Sequence, residues 1–143
     1  MKCEIIIDPN CQERVVIYAR EDSPLLYSIR QFVEESSPGL MGFRDGKTVK
    51  LNPYDIHCIT VIDRKVYAIC ETEQLQLKER LYTLEEQLPP VFVKVNQSCL
   101  ANITKIEKFD ASISGTLKLH FKNGYTDYVS RRQLRAVKER IGI

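Results

Sequence analysis

The sequence predicts a mostly β chain with small helices, an α+β fold, on three observations. Leu117, Leu119 and Phe121 alternate with Lys118, His120 and Lys122 ahead of Asn123-Gly124, the pattern of a half-buried hairpin around a two-residue turn. Short β-branched or aromatic runs recur along the chain, separated by turns such as Asp45-Gly46 and Asp63-Arg64-Lys65. Helical periodicity is confined to a few short stretches.

In chain order, residues 2–8 read as a strand with Ile5, Ile6 and Ile7 continuous, and Pro9-Asn10 as a turn. Residues 13–20, with Val15, Val16 and Ile17, read as a second strand. Ser23-Pro24 then opens a helix, Ser as cap and Pro at the first position, with Leu25, Leu26, Ile29, Phe32 and Val33 on its apolar face. Residues 1–39 are thus a β-β-α extension, and 40–143 the main domain.

The main domain begins with a hairpin, Phe43-Arg44 and residues 48–51 around Asp45-Gly46. Strands follow at 58–62 and 66–70 across Asp63-Arg64-Lys65. Residues 73–77 lead into a helix whose Leu77, Leu81, Leu84 and Leu88 form a core stripe, stopped by Pro89-Pro90. In the late hairpin, a two-residue turn sets Phe121 opposite Thr126, His120 opposite Asp127 and Leu119 opposite Tyr128. A last helix is expected to start at Ser130, with Gln133 completing a capping box and Leu134, Val137 and Ile141 facing inward. Arg131, Arg132, Arg135 and Lys138 then face out, and arginines beside the free N–H groups of a helix N-terminus make a phosphate site.

With 143 residues, 43% apolar and 28% charged, the chain is one ordinary globular domain plus its extension. No apolar run approaches the roughly 20 residues of a membrane span, and Met1-Lys2-Cys3-Glu4 does not open a signal peptide, so a cytoplasmic protein is expected. The net charge of +2 hides a division. From Val91 onward there are ten Lys and Arg against four Asp and Glu, a net of +6 that suits a polyanion; the first ninety residues hold eleven against fifteen, a net of −4.

Five cysteines, Cys3, Cys11, Cys58, Cys70 and Cys99, have no C-x-x-C spacing and read as reduced thiols. His57 and Cys58 are strand neighbours that point to opposite faces, so neither a zinc site nor a Cys–His nucleophile is expected. No catalytic residue, metal or cofactor is assigned, and the chain is not expected to be an enzyme.

Residues Phe92-Val93-Lys94-Val95-Asn96-Gln97-Ser98-Cys99-Leu100-Ala101-Asn102-Ile103, then Gly115-Thr116-Leu117-Lys118-Leu119, Asn123-Gly124 and Val129-Ser130-Arg131-Arg132, resemble the LytTR DNA-binding domain of bacterial transcription factors. The resemblance covers roughly the last two-thirds of the chain. It implies an elongated β domain that reads double-stranded DNA through loops, often as a homodimer on promoter direct repeats. Many such proteins are response regulators with a receiver domain of about 120 residues, which 39 residues cannot hold. A dimerisation element or a structural cap remain the two readings of the extension.

Carried over by position, the resemblance makes Asn96, Gln97 and Ser98 the loop that enters the major groove. Gln97 is the base reader, its amide suited to adenine, with Ser98 holding a phosphate or bracing the loop. A basic residue is common at position 97 in the family, and Gln133 stands where Tyr is common. Arg132 would reach a base edge and Arg131 a phosphate, with Arg64 and Lys65 a third contact and Arg135 beyond them. A second reading from another class is a protein of this fold that acts by contact with a regulatory or membrane partner.

Overall fold

A computed structural model describes residues 2–12, 14–36, 39–111 and 115–142. The chain divides into two compact units, Met1–Pro38 and Gly39–Ile143.

In the first unit the helix forms as its signals require. It spans Pro24–Ser36 (α1), and the Ser23 hydroxyl accepts from the Leu26 N–H at 3.4 Å. Arg30 and Glu34 pair at 2.8 Å one turn apart. The two expected strands do not form. Asp8 closes a turn, accepting through its backbone from Cys11 N–H at 3.2 Å and through its side chain from Asn10 N–H at 2.9 Å. The runs on either side of it carry no strand among the described residues. β propensity needs a ladder partner, and none is supplied to these runs within the described chain.

The second unit is built from ten strands, two short α-helices and two single-turn 3-10 helices (Pro53–Asp55 and Ile103–Lys105) among its described residues. In order the strands and α-helices are β1 (Leu40–Arg44), β2 (Lys47–Leu51), β3 (Cys58–Ile62), β4 (Lys65–Ile69), β5 (Gln74–Leu77), α2 (Leu81–Gln87), β6 (Phe92–Asn96), β7 (Cys99–Asn102), β8 (Ile106–Ala111), β9 (Leu117–Phe121), β10 (Thr126–Val129) and α3 (Leu134–Ile141). Seven strands make one sheet, ordered β2-β1-β5-β4-β3-β7-β6, and three make another, β10-β9-β8. Every pairing is antiparallel.

The large sheet is covered on both faces. Ile59, Ala68 and Leu100 share one core with Leu84 and Leu88 from α2 and its end. Their strand neighbours Cys58, Ile69, Cys99 and Ala101 turn the other way, onto Leu117, Leu119 and Phe121 of β9 and Val137 of α3. Central strands buried on both faces read as continuous apolar runs, as 58–62 does. Residues 74–77 are a strand, so the leucine stripe is split: Leu77 belongs to β5, while Leu81 and Leu84 pack from α2 and Leu88 from the residue position that ends it.

The late hairpin corrects the expected register by one residue. His120 lies opposite Thr126, Leu119 opposite Asp127 and Lys118 opposite Tyr128. The loop has three residues, Lys122-Asn123-Gly124: Gly124 N–H donates to Phe121 C=O and Phe121 N–H to Tyr125 C=O, both at 2.9 Å, with Gly124 at φ +90°. That is a turn followed by a left-handed glycine, not a two-residue turn. The Asn123 amide is engaged elsewhere, donating to Cys70 C=O at 2.8 Å in the β4–β5 corner. A one-residue slip exchanges the faces of β10. Tyr128 is therefore exposed, Asp127 turns inward, and His120 pairs with Asp110 on β8 at 2.5 Å rather than with Asp127.

Candidate nucleic-acid interface

Three turns meet at one end of the large sheet. Asp63 and Arg64 join β3 to β4 with φ of +50° and +67°, left-handed at two successive residues with a Cβ. Arg64 and Lys65 project into solvent there. Gln97 and Ser98 join β6 to β7, and both are exposed. The backbone N–H of Val61 donates to Ser98 C=O at 2.9 Å, which sets this turn beside the end of β3. The third turn, 131–133, leaves β10, and the Ser130 N–H donates to Val95 C=O at 2.9 Å. Arg131 and Arg132 are exposed on it.

Asn96 differs from the expected contact set. It is 3% exposed and its amide is fully used within the protein. Nδ2 donates to Asp127 Oδ1 at 2.9 Å and to Tyr128 C=O at 2.8 Å, while Oδ1 accepts from Ser98 N–H at 2.8 Å. It braces the turn from beneath instead of facing a ligand.

The last helix also starts later than expected. The Ser130 side chain does not cap it; Gln133 is its N-cap residue and has no side-chain capping bond. Gln133 N–H closes a turn onto Ser130 C=O at 3.0 Å. Arg131 and Arg132 therefore lie on a turn ahead of α3, not on its first helical residues. Arg135 is on the helix and meets Glu139 at 3.5 Å, an exposed i,i+4 pair of the weak surface kind. The Arg140 guanidinium donates to Pro90 C=O, tying α3 to the connection before β6.

One further buried amide, at the opposite end of β7, and a thiol pair stiffen the sheet behind these turns, and no sequence signal is strong enough to find them. Asn102 is wholly buried, donates to Ile56 C=O at 2.9 Å, and accepts from Thr104 N–H at 3.0 Å and Thr104 Oγ1 at 2.7 Å. Cys99, next to the exposed turn, has its thiol held well above the usual range by a hydrogen bond with Cys58 and by burial. Burial also pushes the Cys70 thiol up to about 11. These thiols stay protonated and packed at neutral pH. His57 turns to Glu71, Nε2 to Oε2 at 2.9 Å, away from any convergence with Cys58. Among the described residues no cluster of His, Cys, Asp or Glu is placed to hold a metal ion.

An antiparallel β scaffold that presents basic and amide side chains on clustered turns, over a basic C-terminal half, is a surface of the class that nucleic-acid-binding domains use. The LytTr DNA-binding domain family matches residues 46–142, and the chain belongs to that family. Two Staphylococcus aureus proteins, each described as an uncharacterized HTH-type transcriptional regulator, are similar over their full lengths. The one from strain NCTC 8325 / PS 47 is 33% identical over 146 residues, covering 100% of this chain and 99% of its own. The one from strain MSSA476 is 32% identical over 146 residues with the same coverage. A solved LytTr DNA-binding domain from Bacillus cereus shares the fold, with a TM-score of 0.70 at 18% identity over 75% of this chain and 100% of that one. In this chain α2 and α3 are separated by five strands, so they do not make a helix-turn-helix pair. No described helix is long and apolar enough to cross a membrane.

Proposed function

We propose that the chain is a cytoplasmic, sequence-specific transcriptional regulator that binds promoter direct repeats in double-stranded DNA, one subunit per major groove. The observation that carries this reading is the gathering of the Arg64-Lys65, Gln97-Ser98 and Arg131-Arg132 turns at one end of a rigid sheet. Gln97 offers an amide to an adenine edge and Arg132 a guanidinium to a guanine edge; neither side chain is engaged within the described residues. Arg131, Arg64 and Lys65 serve the phosphates, and Ser98 a phosphate at the turn. Arg135 is a peripheral phosphate contact at most, because it shares its charge with Glu139.

Selection from a pool of random duplexes tests this. The expected result is an enriched motif that occurs twice in the same orientation, bound with an affinity that falls steeply with salt. A pool that stays random, with binding indifferent to salt, would transfer the function to contact with a regulatory or membrane partner.

The same reading makes the chain a homodimer through residues 1–39. Ile5, Ile6 and Ile7 are 81%, 78% and 86% exposed, and Tyr18 is 95% exposed. Apolar side chains exposed in this number favour a partner surface, and a repeat of identical half-sites favours a second copy. Light scattering of the whole chain and of Ile6→Asp should give a dimer and a monomer; a wild-type monomer at micromolar concentration removes the dimer.

A further inference from the structure

The turn that carries Gln97 lacks the usual means of closing a two-residue hairpin. The β1–β2 and β3–β4 turns use left-handed residues, Asp45 and Gly46 at φ +50° and +74°, Asp63 and Arg64 at +50° and +67°. Neither Gln97 nor Ser98 has a positive φ. A two-residue turn without left-handed residues does not match the strand twist and splays its strands. Two features compensate. The β6–β7 register shifts between Lys94 and Asn96, so Val95 is an extra residue and both it and Asn96 are buried. A bulge of this kind re-aims the side chain that follows it. Asn96, so aimed, accepts from Ser98 N–H two residues on, an Asx turn that shapes the loop from within.

The other end of the same amide holds β10, just before the arginines. Both Nδ2 hydrogens are used there, on Asp127 Oδ1 and Tyr128 C=O, and Ser130 N–H adds a backbone tie to the bulged Val95. A single buried side chain thus fixes the Gln97 turn and the Arg131-Arg132 turn to one another. We infer that Asn96, with Asp127 as its acceptor, is a positioning residue that makes the two turns one reading surface and so sets DNA specificity. The inference rests on the DNA-reading function proposed above.

The test uses the full chain, the selected duplex and a random duplex of the same length at one salt concentration. Asn96→Ala should weaken the selected site by about tenfold or more and leave random duplex within about twofold, because phosphate contacts tolerate a loosened turn and base contacts do not. Asn96→Asp sets a carboxylate against Asp127 and should lose discrimination likewise. Adding Asp127→Asn restores one donor–acceptor pair in reverse and should recover most of it, which a general packing defect would not do. In wild type, Gln97→Ala and Arg132→Ala should be non-additive on the selected site, and additive once Asn96 is Ala. Unchanged discrimination in Asn96→Ala, or no recovery in the reversed pair, overturns the inference. A wild-type chain that does not distinguish the two duplexes overturns the DNA-reading function instead.

Discussion

Gln97→Ala isolates base reading from folding. Gln97 is exposed at the tip of a turn whose shape is held by Asn96 and by Val61 N–H on Ser98 C=O, and its amide makes no hydrogen bond among the described residues. Its removal should alter fold stability by no more than about 0.5 kcal/mol, the range for surface positions. What is lost is a bidentate contact to a base edge, worth about 1 to 3 kcal/mol. That corresponds to roughly 5- to 150-fold in Kd on the selected site. On random duplex, where only phosphates are held, the change should be within about twofold. Fluorescence anisotropy with both duplexes at the same salt reads the two numbers. Gln97→Arg, repeated through selection, should exchange adenine for guanine at one position of the motif. An equal loss on both duplexes, or none on the selected one, would refute base reading by Gln97.

Arg131→Ala should lower affinity for all duplexes alike and reduce the slope of log K against log salt by about 1, in titrations across salt. Leu84→Ala should cost about 2 to 5 kcal/mol in urea unfolding, since Leu84 is wholly buried and a seven-residue helix has little stability of its own; a smaller loss would mean that α2 is not held by the first core. In thiol titration at pH 8, Cys3 and Cys11 should react fast because they are exposed. Cys70, partly buried, and Cys99, buried, should react slowly in the folded chain: raised pKa values keep both protonated at pH 8, Cys70 until the pH nears about 11. A third fast thiol at pH 8 would contradict that burial.

Local chemistry settled what the sequence could announce on its own. Asp45-Gly46 closes β1 onto β2, Ser23-Pro24 starts α1, and the apolar run at 58–62 is a central strand, because each of these is decided by residues adjacent in the chain. The motif around residues 92–103 and 129–132 likewise carried the family. Alternation has a period but no phase with respect to a partner, so the late hairpin's register was open until Asn123 was drawn off to Cys70 C=O and the loop took three residues. β propensity at Ile5 to Ile7 and Val15 to Ile17 names no partner either, and no ladder forms there. Asn96 could be read as a contact residue because its amide is of the right type. Only tertiary structure decides that its donors go to Asp127 and Tyr128, 31 and 32 residues away, where they are satisfied before any base arrives.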